Sequence, residues 1–447
     1  PPPFSSRRRH TRLHEKSRGL GDVYKRQGAS PACTASVCGP ASFGNLLTMF
    51  PLLRVRPIPS ELDSPHNDSV LCSAPATTGN RPAVAIRSLC ITEGGDRPTI
   101  ETFIGMHRAG VEVTVTCPPD HPNRQLLMDA GVPTIPLHLK HNFNKADIAT
   151  LREELVRGRY HVLHTFNSKA VTNGLRACKG LPLKGVCYRG IVGNLSFLDP
   201  MSWMRYLNPR IDRIVCVCEA IRQWFLHMQP AFLRMPPERP VTIHKGHKLE
   251  WYSDEPADLA RFGIPEDAFV IGCTAAYRPR KGVEYLVDAL AMLPADIPAH
   301  LLLIGRMDDS KLTRKINASG VGERVHRIGH RSDAPAVTAA CDVFSLPSTK
   351  REGLARAIIE AMAYRVPPVV TDCGGSPELV VDGECGFVVP IKSARALASA
   401  FEKLYRDPAL RQRMGEAARE RIGTHFRNED TVRKTIALYE ELVPNPD

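Results

Sequence analysis

The sequence predicts an α/β protein built from two Rossmann-like, doubly wound parallel sheets that face a cleft. Short apolar strands alternate with helical patterns in two series, one over residues 83–244 and one that starts at residue 269. Residues 245–268 between them lack sustained periodicity, which is typical of a linker. The 447 residues are also too many for one ordinary core. Ligands of such sheets bind beyond the carboxyl ends of the strands, so we expect the active site in the cleft.

The first series opens with a β-loop-α-β unit. Residues 83–91 (AVAIRSLCI) are predicted as a buried parallel strand, a glycine loop follows at 93–96, and apolar spacing predicts a helix over 98–109. Further strands are expected at 111–116, 161–164, 185–188, 213–218 and 241–244, with helices at 147–157, 168–177 and 219–227.

The second series repeats this alternation. Its predicted strands are 269–276, 300–304, 325–328, 343–346 and 368–371, and its helices are 282–292, 311–319, 334–340 and 354–364. Helices at 394–406, 410–426 and 429–442 end the chain. We therefore expect one domain at 81–250, a second domain at 251–427, and a C-terminal helix within 428–447 that could pack back on the first domain.

Residues 1–80 are expected to lie outside the folded body. Residues 1–27 show no hydrophobic period and resemble translated sequencing-adapter read-through more than a biological leader. The alternatives are a basic disordered tail and a transit peptide, which should also be amphipathic. Residues 28–80 are rich in Pro, Ser, Ala and Thr, which predicts disorder, and Met49 is a candidate true start.

Composition narrows the function classes. Of the net charge of +12, about half lies in residues 1–27, so we expect no nucleic-acid partner. Thirteen cysteines without a Cys-x-x-Cys pair predict reduced, mostly buried thiols, a cytoplasmic setting and no zinc site. No apolar run approaches the roughly 20 residues of a membrane-spanning helix, so we expect a soluble protein or one peripheral to the inner face of a membrane.

The motif with the most chemical content is EGLARAIIE at residues 352–360. We expect Glu352 at the start of a helix and Glu360 a little over two turns further, on roughly the same face. A helix N-terminus favours anions such as a diphosphate, and carboxylates beside it can accept hydrogen bonds from sugar hydroxyls. Taken alone, an ordinary helix with an acidic first turn would be the better interpretation.

The neighbouring motifs favour a ligand-binding site over an ordinary helix. DVFSLPS (342–348) precedes the motif, and PPVVTDCGGSPE (367–378) and GFVVP (386–390) follow it. The glycine pair at 374–375 predicts a turn that opens a short helix, which is a second anion site. Together these motifs closely resemble the retaining glycosyltransferases of family 4, which have the GT-B fold. The resemblance covers residues 83–443 and is strongest over 269–390.

The resemblance implies a hexosyltransferase that moves a sugar from a nucleotide-sugar donor to a glycan or lipid-linked acceptor of cell-envelope type. It implies that Glu352 contacts the hydroxyls of the donor sugar and that Glu360 contacts the nucleotide ribose. The other donor-binding residues that it implies are Gly353, Leu354 and Gly375. It also implies that the domain at 81–250 is the acceptor side and that the domain at 251–427 binds the donor.

The family's phosphate clamp corresponds to AAYRPRKG at residues 275–282. Lys281 matches the family lysine, and a cation at a helix start opposes the macrodipole, which favours a functional role. The family arginine usually falls five residues earlier, where this chain has Ala276. We expect Arg278 to replace it, because a planar guanidinium suits a diphosphate.

The first half supplies weaker signals. Gly94 and Gly95 match the family's glycine loop near the donor phosphates, although a glycine pair after a strand also fits a tight turn. HTFNSKA (164–170) resembles a stretch that often reads His-x-His, with Phe166 at the second histidine. His164 is therefore either a residue that positions the acceptor or the reacting sugar, or a satisfied core histidine. The acceptor-site candidates beside it are Asn167 and Lys169.

The expected chemistry uses no metal and no cofactor, since no Asp-x-Asp motif occurs. The leaving diphosphate would be neutralised by Lys281, an arginine and helix N-termini, and would itself guide the acceptor's proton. The alternatives are a nucleotide-sugar epimerase, a phosphorylase and a non-catalytic sugar-nucleotide binder. Ala276, Phe166 and Lys248 depart from the family pattern, and Lys248 stands in a turn that we interpret as structural.

Overall fold

The computed structural model describes residues 85–228 and 234–446. Two parallel sheets follow one another along this part of the chain, with seven and six strands. The predictions made for residues 1–80, including disorder and a start at Met49, fall on residues outside the described ones.

The N-terminal half, as we call the first sheet with its helices, is a β/α alternation. Its strands are β1 (Arg87–Ile91), β2 (Glu112–Cys117), β3 (Thr134–Pro136), β4 (Val162–Thr165), β5 (Lys184–Arg189), β6 (Arg213–Cys216) and β7 (Pro240–Thr242). Its helices are α1 (Arg97–Arg108), α2 (Arg124–Asp129), α3 (Lys145–Gly158), α4 (Ser168–Ala177), α5 (Pro200–Trp203) and α6 (Glu219–His227). The strand order is β3-β2-β1-β4-β5-β6-β7, with parallel pairing throughout.

The C-terminal half repeats this architecture. Its strands are β8 (Phe269–Thr274), β9 (Ala299–Ile304), β10 (Val325–Arg327), β11 (Val343–Leu346), β12 (Pro368–Thr371) and β13 (Phe387–Val389). Its helices are α7 (Val283–Met292), α8 (Ser310–Ala318), α9 (Ala334–Ala339), α10 (Arg356–Ala363), α11 (Ser376–Leu379), α12 (Ala394–Arg406) and α13 (Pro408–His425). The order β10-β9-β8-β11-β12-β13 is again parallel throughout.

The predicted fold class, α/β with two doubly wound sheets, is confirmed. The strands are buried because their sequences are nearly continuous apolar runs, as in β9 (AHLLLI), which helices cover on both faces. The sequence analysis missed α2, β3, α5 and β13, which have only three to six residues each.

The last helix, α14 (Asn428–Leu442), packs on α1 of the N-terminal half. Asn428 Nδ2 donates to the Pro98 carbonyl at 3.2 Å, and Tyr439 is fully buried in the same core as β1. A Cβ added at Gly105 would lie 2.5 Å from Val432 Cγ2, so only a glycine lets the two helices approach this closely.

Candidate active site

Loops from the carboxyl ends of both sheets meet directly. The Glu378 carboxylate, on α11, accepts hydrogen bonds from the backbone N–H groups of Glu219 and Ala220 at 2.8 and 2.9 Å. The ring of His244 donates to the same carboxylate at 3.0 Å. The first turn of α6, which carries positive charge density, is thus held by a side chain from the other half.

A cavity of about 750 Å³, which we call the larger cavity, lies where the halves meet. The charged residues that line it include Arg306, Arg331, Arg356 and Glu360 from the C-terminal half and Asp96 from the N-terminal half. Its size and mixed charge fit a nucleotide-sized ligand.

Glu360 lies in the wall of the larger cavity on α10. Its Oε1 is 3.1 Å from Arg356 Nε, one helical turn earlier, and its side chain is only 12% exposed. Burial raises the pKa of Glu360, and the attraction of Arg356 partly opposes this shift. The carboxylate therefore has one neighbour fixed in place and an oxygen left to accept a ligand hydroxyl.

Glu352 and Lys281 form an ion pair, with 2.8 Å between Lys281 Nζ and Glu352 Oε2. Ser348 Oγ donates to the same Glu352 oxygen at 2.5 Å. Both charged side chains are largely buried, so their groups are held together away from bulk water. The structure thus brings together two of the residues that the sequence singled out from distant motifs.

The predicted position of Glu352 at a helix start is wrong. Helix α10 begins at Arg356, so Glu352 lies in the preceding loop and shares no helical face with Glu360. The reason is tertiary: Arg351 adopts a left-handed conformation, with φ of 61°, and Ser348 and Lys281 hold the Glu352 carboxylate.

Arg278 is exposed and does not line the larger cavity. The buried pair of Lys281 and Glu352 is also absent from that lining. Arg280 is tied down instead, since its Nη1 donates to the Arg351 carbonyl at 3.2 Å. Three other arginines do line the cavity: Arg306, Arg331 and Arg356. Their positions favour them over Arg278 as partners for a diphosphate.

A second cavity, of about 350 Å³, opens in the N-terminal half. We call it the aromatic cavity, because the rings of Phe166 and Tyr188 line it, stacked 5.6 Å apart. The other residues that line it include Gly94, Gly95, Asp96, Asn167 and Lys245. Asp96 also lines the larger cavity, so the two cavities adjoin at this carboxylate.

His164 occupies the core. It is 3% exposed, its Nδ1 lies 2.8 Å from the Tyr439 hydroxyl, and Phe166 covers it with 4.3 Å between ring centroids. Burial lowers its pKa to about 3, so the ring is neutral at physiological pH. His164 does not line the aromatic cavity, and of its two interpretations the geometry favours the core histidine, although its Nε2 has no partner among the described residues.

The two acceptor-site candidates have structural partners. Asn167 caps α4 by accepting from Ala170 N at 2.9 Å, and it also lines the aromatic cavity. Lys169 Nζ lies 2.9 Å from Glu93 and donates to the Leu139 carbonyl at 2.8 Å, so its charge is already compensated.

Glycines permit the close contact between the halves. A Cβ at Gly353 would lie 2.2 Å from the Gly190 carbonyl oxygen, and one at Gly375 would lie 2.9 Å from Cys218 Sγ. Leu354 packs against the cores of both halves. The three residues for which the family resemblance implies donor contacts thus form part of the contact between the two halves in this structure.

The sequence analysis missed Asp96 and Lys245. Lys245 Nζ is 3.1 Å from both Asp96 oxygens, and Thr99 Oγ1 donates to Asp96 Oδ1 at 2.6 Å. Asp96 directly follows the glycine pair and caps α1, which is the signal that could have drawn attention to it. Nothing comparable marks Lys245, because its partner is 149 residues away in sequence.

Three features hold over the whole described part of the chain. Within residues 85–228 and 234–446, no group of three or more His, Cys, Asp or Glu is placed to hold a metal ion. In the same residues, no helix is both long and apolar enough to cross a bilayer. The ten cysteines described are free and buried.

Two Rossmann-like halves that enclose a ligand-sized cavity at their carboxyl edges define a protein of the GT-B class. The family model for glycosyltransferase family 4 matches residues 94–251, and the model for group 1 glycosyl transferases matches residues 254–421. The chain therefore belongs to the group 1, family 4 glycosyltransferases and is a glycosyltransferase.

Similar proteins and solved structures support this family assignment. A phosphatidyl-myo-inositol mannosyltransferase of Mycobacterium leprae is 27% identical over 330 residues, which is 71% of this chain and 85% of the relative. The lipopolysaccharide core glycosyltransferase LpsE of Rhizobium meliloti is 33% identical over 173 residues, 38% of this chain and 50% of the relative. The Anabaena protein HepE, solved with UDP-glucose, shares the fold with a TM-score of 0.66 and 21% identity, covering 79% of this chain and 100% of HepE.

Proposed function

We propose that the protein is a retaining hexosyltransferase that moves a sugar from a nucleotide-sugar donor to a glycan or lipid-linked acceptor of cell-envelope type. The observation that carries the proposal is the meeting of the two cavities at Asp96, one large enough for a nucleotide and one lined by aromatic rings. The mannosyltransferase and lipopolysaccharide activities in the names of the relatives support the substrate class.

In this proposal the nucleotide occupies the larger cavity. Glu360 accepts hydrogen bonds from the ribose, and the lining arginines face the diphosphate. Lys281, which lies outside the lining of the larger cavity, joins them when the donor binds. Lys281 would exchange its partner, Glu352, for the diphosphate as negative charge grows on the leaving group. The released Glu352 carboxylate could then accept hydrogen bonds from the donor sugar.

The reaction breaks the bond between the anomeric carbon and the diphosphate oxygen and forms one to the acceptor oxygen on the same face of the sugar. The acceptor's proton passes to the leaving diphosphate. The transition state has oxocarbenium character, and Lys281 stabilises the negative charge that it leaves on the diphosphate.

The test starts with a donor screen. Thermal shifts with UDP, GDP and ADP identify the base, and the matching nucleotide sugars are then incubated with octyl glycosides as acceptors. NMR of the product reads the anomeric configuration. A product inverted relative to the donor would refute retention. For variants of site residues, the matched control is Glu420→Ala, an exposed change on α13.

A non-catalytic sugar-nucleotide binder is the second candidate. It is favoured by Ala276 at the position of the family arginine and by the exposure of Arg278. The two functions differ in one measurement, because a pure binder shifts the melting temperature with a nucleotide sugar but releases no nucleotide from it.

A further inference from the structure

Arg189 is a buried cation that the proposed reaction does not use. It ends β5 at the carboxyl edge of the N-terminal half, and the residue is 5% exposed. Of the residues that the structure describes, no carboxylate pairs with its guanidinium. The group instead donates from Nε to the Ile191 carbonyl at 3.0 Å and from Nη2 to the Gly193 carbonyl, and it lies 4.7 Å from the ring centroid of Tyr206. Because an unpaired buried charge is costly, these carbonyl groups must compensate it.

The guanidinium shapes residues 190–194, which we call the 190–194 loop and which lie outside any helix or strand. The carbonyl groups of Ile191 and Gly193 face inwards to Arg189. Gly193 and Asn194 adopt left-handed conformations, with φ of 71° and 61°, which turn the chain sharply. A side chain without hydrogen-bond donors at position 189 would leave both carbonyls without this partner, so the loop would lose the contact that fixes its shape.

The loop that carries Glu352 packs directly on this part of the N-terminal half. A Cβ at Gly353 would lie 2.2 Å from the Gly190 carbonyl oxygen, so the two backbones are in contact. Leu354 packs against the same buried apolar cluster as Val192 of the 190–194 loop. The two residues that follow Glu352 are therefore held by the 190–194 loop and by the core on which it lies.

The residue before Glu352 is held there as well. A Cβ at Gly193 would lie 3.9 Å from Arg351 Cγ, so the Arg351 side chain lies beside the 190–194 loop. Glu352 itself turns away to Lys281, with 2.8 Å between the charged atoms. Because its neighbours on both sides contact the N-terminal half, the shape of the 190–194 loop sets the place of the Glu352 carboxylate.

We propose that Arg189 is a positioning residue for the donor sugar: it fixes the 190–194 loop, and this loop places Glu352 from the other half. Arg189 lines neither the larger cavity nor the aromatic cavity, so it acts without touching the donor. The inference rests on the proposed function, in which Glu352 accepts hydrogen bonds from the donor sugar. It predicts a selective loss, because the nucleotide part is held by Glu360 on α10 and should bind as before.

The first test needs no ligand and uses Cys373 as a reporter. This buried thiol interacts with the backbone of Glu352, and iodoacetamide reaches it only when the contact opens. Peptide mass spectrometry compares its alkylation in the wild type and in Arg189→Met, which removes every donor of the side chain. We expect alkylation of Cys373 about tenfold faster in the variant, whereas Cys273, fully buried in β8, should change by no more than about twofold.

The second test measures the sugar and the nucleotide separately. Calorimetry gives the Kd of UDP, GDP and ADP and of UDP-glucose, GDP-mannose and ADP-glucose. In Arg189→Met the Kd of the nucleotide sugar that binds should rise about tenfold, as for the loss of one charge-assisted hydrogen bond, whereas the Kd of its nucleotide should stay within about twofold. A general loss of stability would lower the fraction of protein that binds and leave the ratio of the two Kd values unchanged.

Arg239→Met is the matched control. Arg239 also donates to two backbone carbonyls of the N-terminal half, those of Ile211 and Asn208, but it precedes β7 at the opposite edge of the sheet. Its loss should leave the Kd ratio and the alkylation of Cys373 within about twofold of the wild type. Equal effects of Arg239→Met and Arg189→Met would overturn the inference.

Arg189→Lys keeps the measurement possible if Arg189→Met does not fold. Its single ammonium lacks the planar fork that bonds both carbonyls, so it should show the same selective loss in smaller measure. An unchanged Kd ratio or an unchanged rate at Cys373 in the folded variant would overturn the role of Arg189 alone. A wild type that binds a nucleotide sugar but transfers nothing would refute only the proposed function, and one that binds none of these ligands would overturn both.

Discussion

The substitution Glu360→Ala tests the donor side of the site most directly. The carboxylate is mostly buried in the wall of the larger cavity, with one oxygen against Arg356 and the other available to a ribose hydroxyl. A hydrogen bond to a charged group contributes about 1.5–3 kcal/mol, which corresponds to a nucleotide Kd raised about 10- to 150-fold. Arg356 should add little to this loss, because its side chain is 59% exposed and can be rehydrated.

The pH dependence of binding provides a second measure of the same contact. Burial raises the pKa of Glu360, so the carboxylate takes up a proton at a higher pH than an ordinary glutamate. Only the ionised form accepts from both ribose hydroxyls. Nucleotide affinity should therefore weaken as the pH falls towards that raised pKa, and Glu360→Ala should remove this dependence.

The assay is calorimetry with the nucleotide found in the donor screen and with its 2′,3′-dideoxy form. The wild type should bind the dideoxy form more weakly, and Glu360→Ala should bind both forms with nearly equal affinity. Glu420→Ala is the control. Unchanged affinity in Glu360→Ala, or an undiminished preference for the ribose hydroxyls, would refute the ribose assignment.

Three further predictions concern the clamp, the metal and the buried histidines. Lys281→Ala should lower kcat about 10²–10³-fold with a smaller effect on donor KM. Arg278→Ala, an exposed change in the same loop, should alter kcat only about twofold, and equal effects of the two substitutions in steady-state kinetics would contradict the clamp. Saturating EDTA should leave turnover intact, and loss that magnesium restores would refute the metal-free reaction. Burial lowers the pKa of His164 and His247 to about 3. Between this value and the ordinary histidine pKa of about 6.5, both rings are protonated in the unfolded chain but neutral in the folded protein. Well below pH 6.5 the free energy of unfolding should fall by about 1.4 kcal/mol per pH unit for each ring, which gives about 3 kcal/mol for the two rings between pH 6.5 and 5. Urea titrations should show about half that fall in His164→Asn.

The fold could be predicted because each core strand has a local signature. The strands that pair in the centre of a sheet, such as β8 and β11, are short and mostly apolar runs, and their burial on both faces follows from that composition. The missed strands lie at sheet edges. β3 and β13 have three residues each, which is too short for a hydrophobic pattern to be recognised in the sequence. They are strands because they pair with β2 and β12 in the folded protein.

The site was predicted less completely, because its geometry depends on contacts between distant segments. Glu352 and Lys281 were found from separate motifs, and only the folded chain brings them to 2.8 Å. The helix was predicted to start at Leu354 and starts at Arg356, since Leu354 continues the apolar spacing of the helix but packs against the other half. Arg278 was chosen for its proximity to Lys281 in sequence, and proximity in sequence does not decide which arginine faces the cavity.

The contacts between the two halves link the shape of the cleft to the positions of the donor-binding residues. The loop that carries Glu352 reaches the other half through Gly353, and α11 reaches it through the three hydrogen bonds of Glu378. A hydrogen bond to a charged group contributes about 1.5–3 kcal/mol, so the three bonds that Glu378 accepts favour the contact between the halves by several kcal/mol. Because the loop that carries Glu352 is also the loop that contacts the other half, the position of this carboxylate beside Lys281 is linked to the contact between the halves.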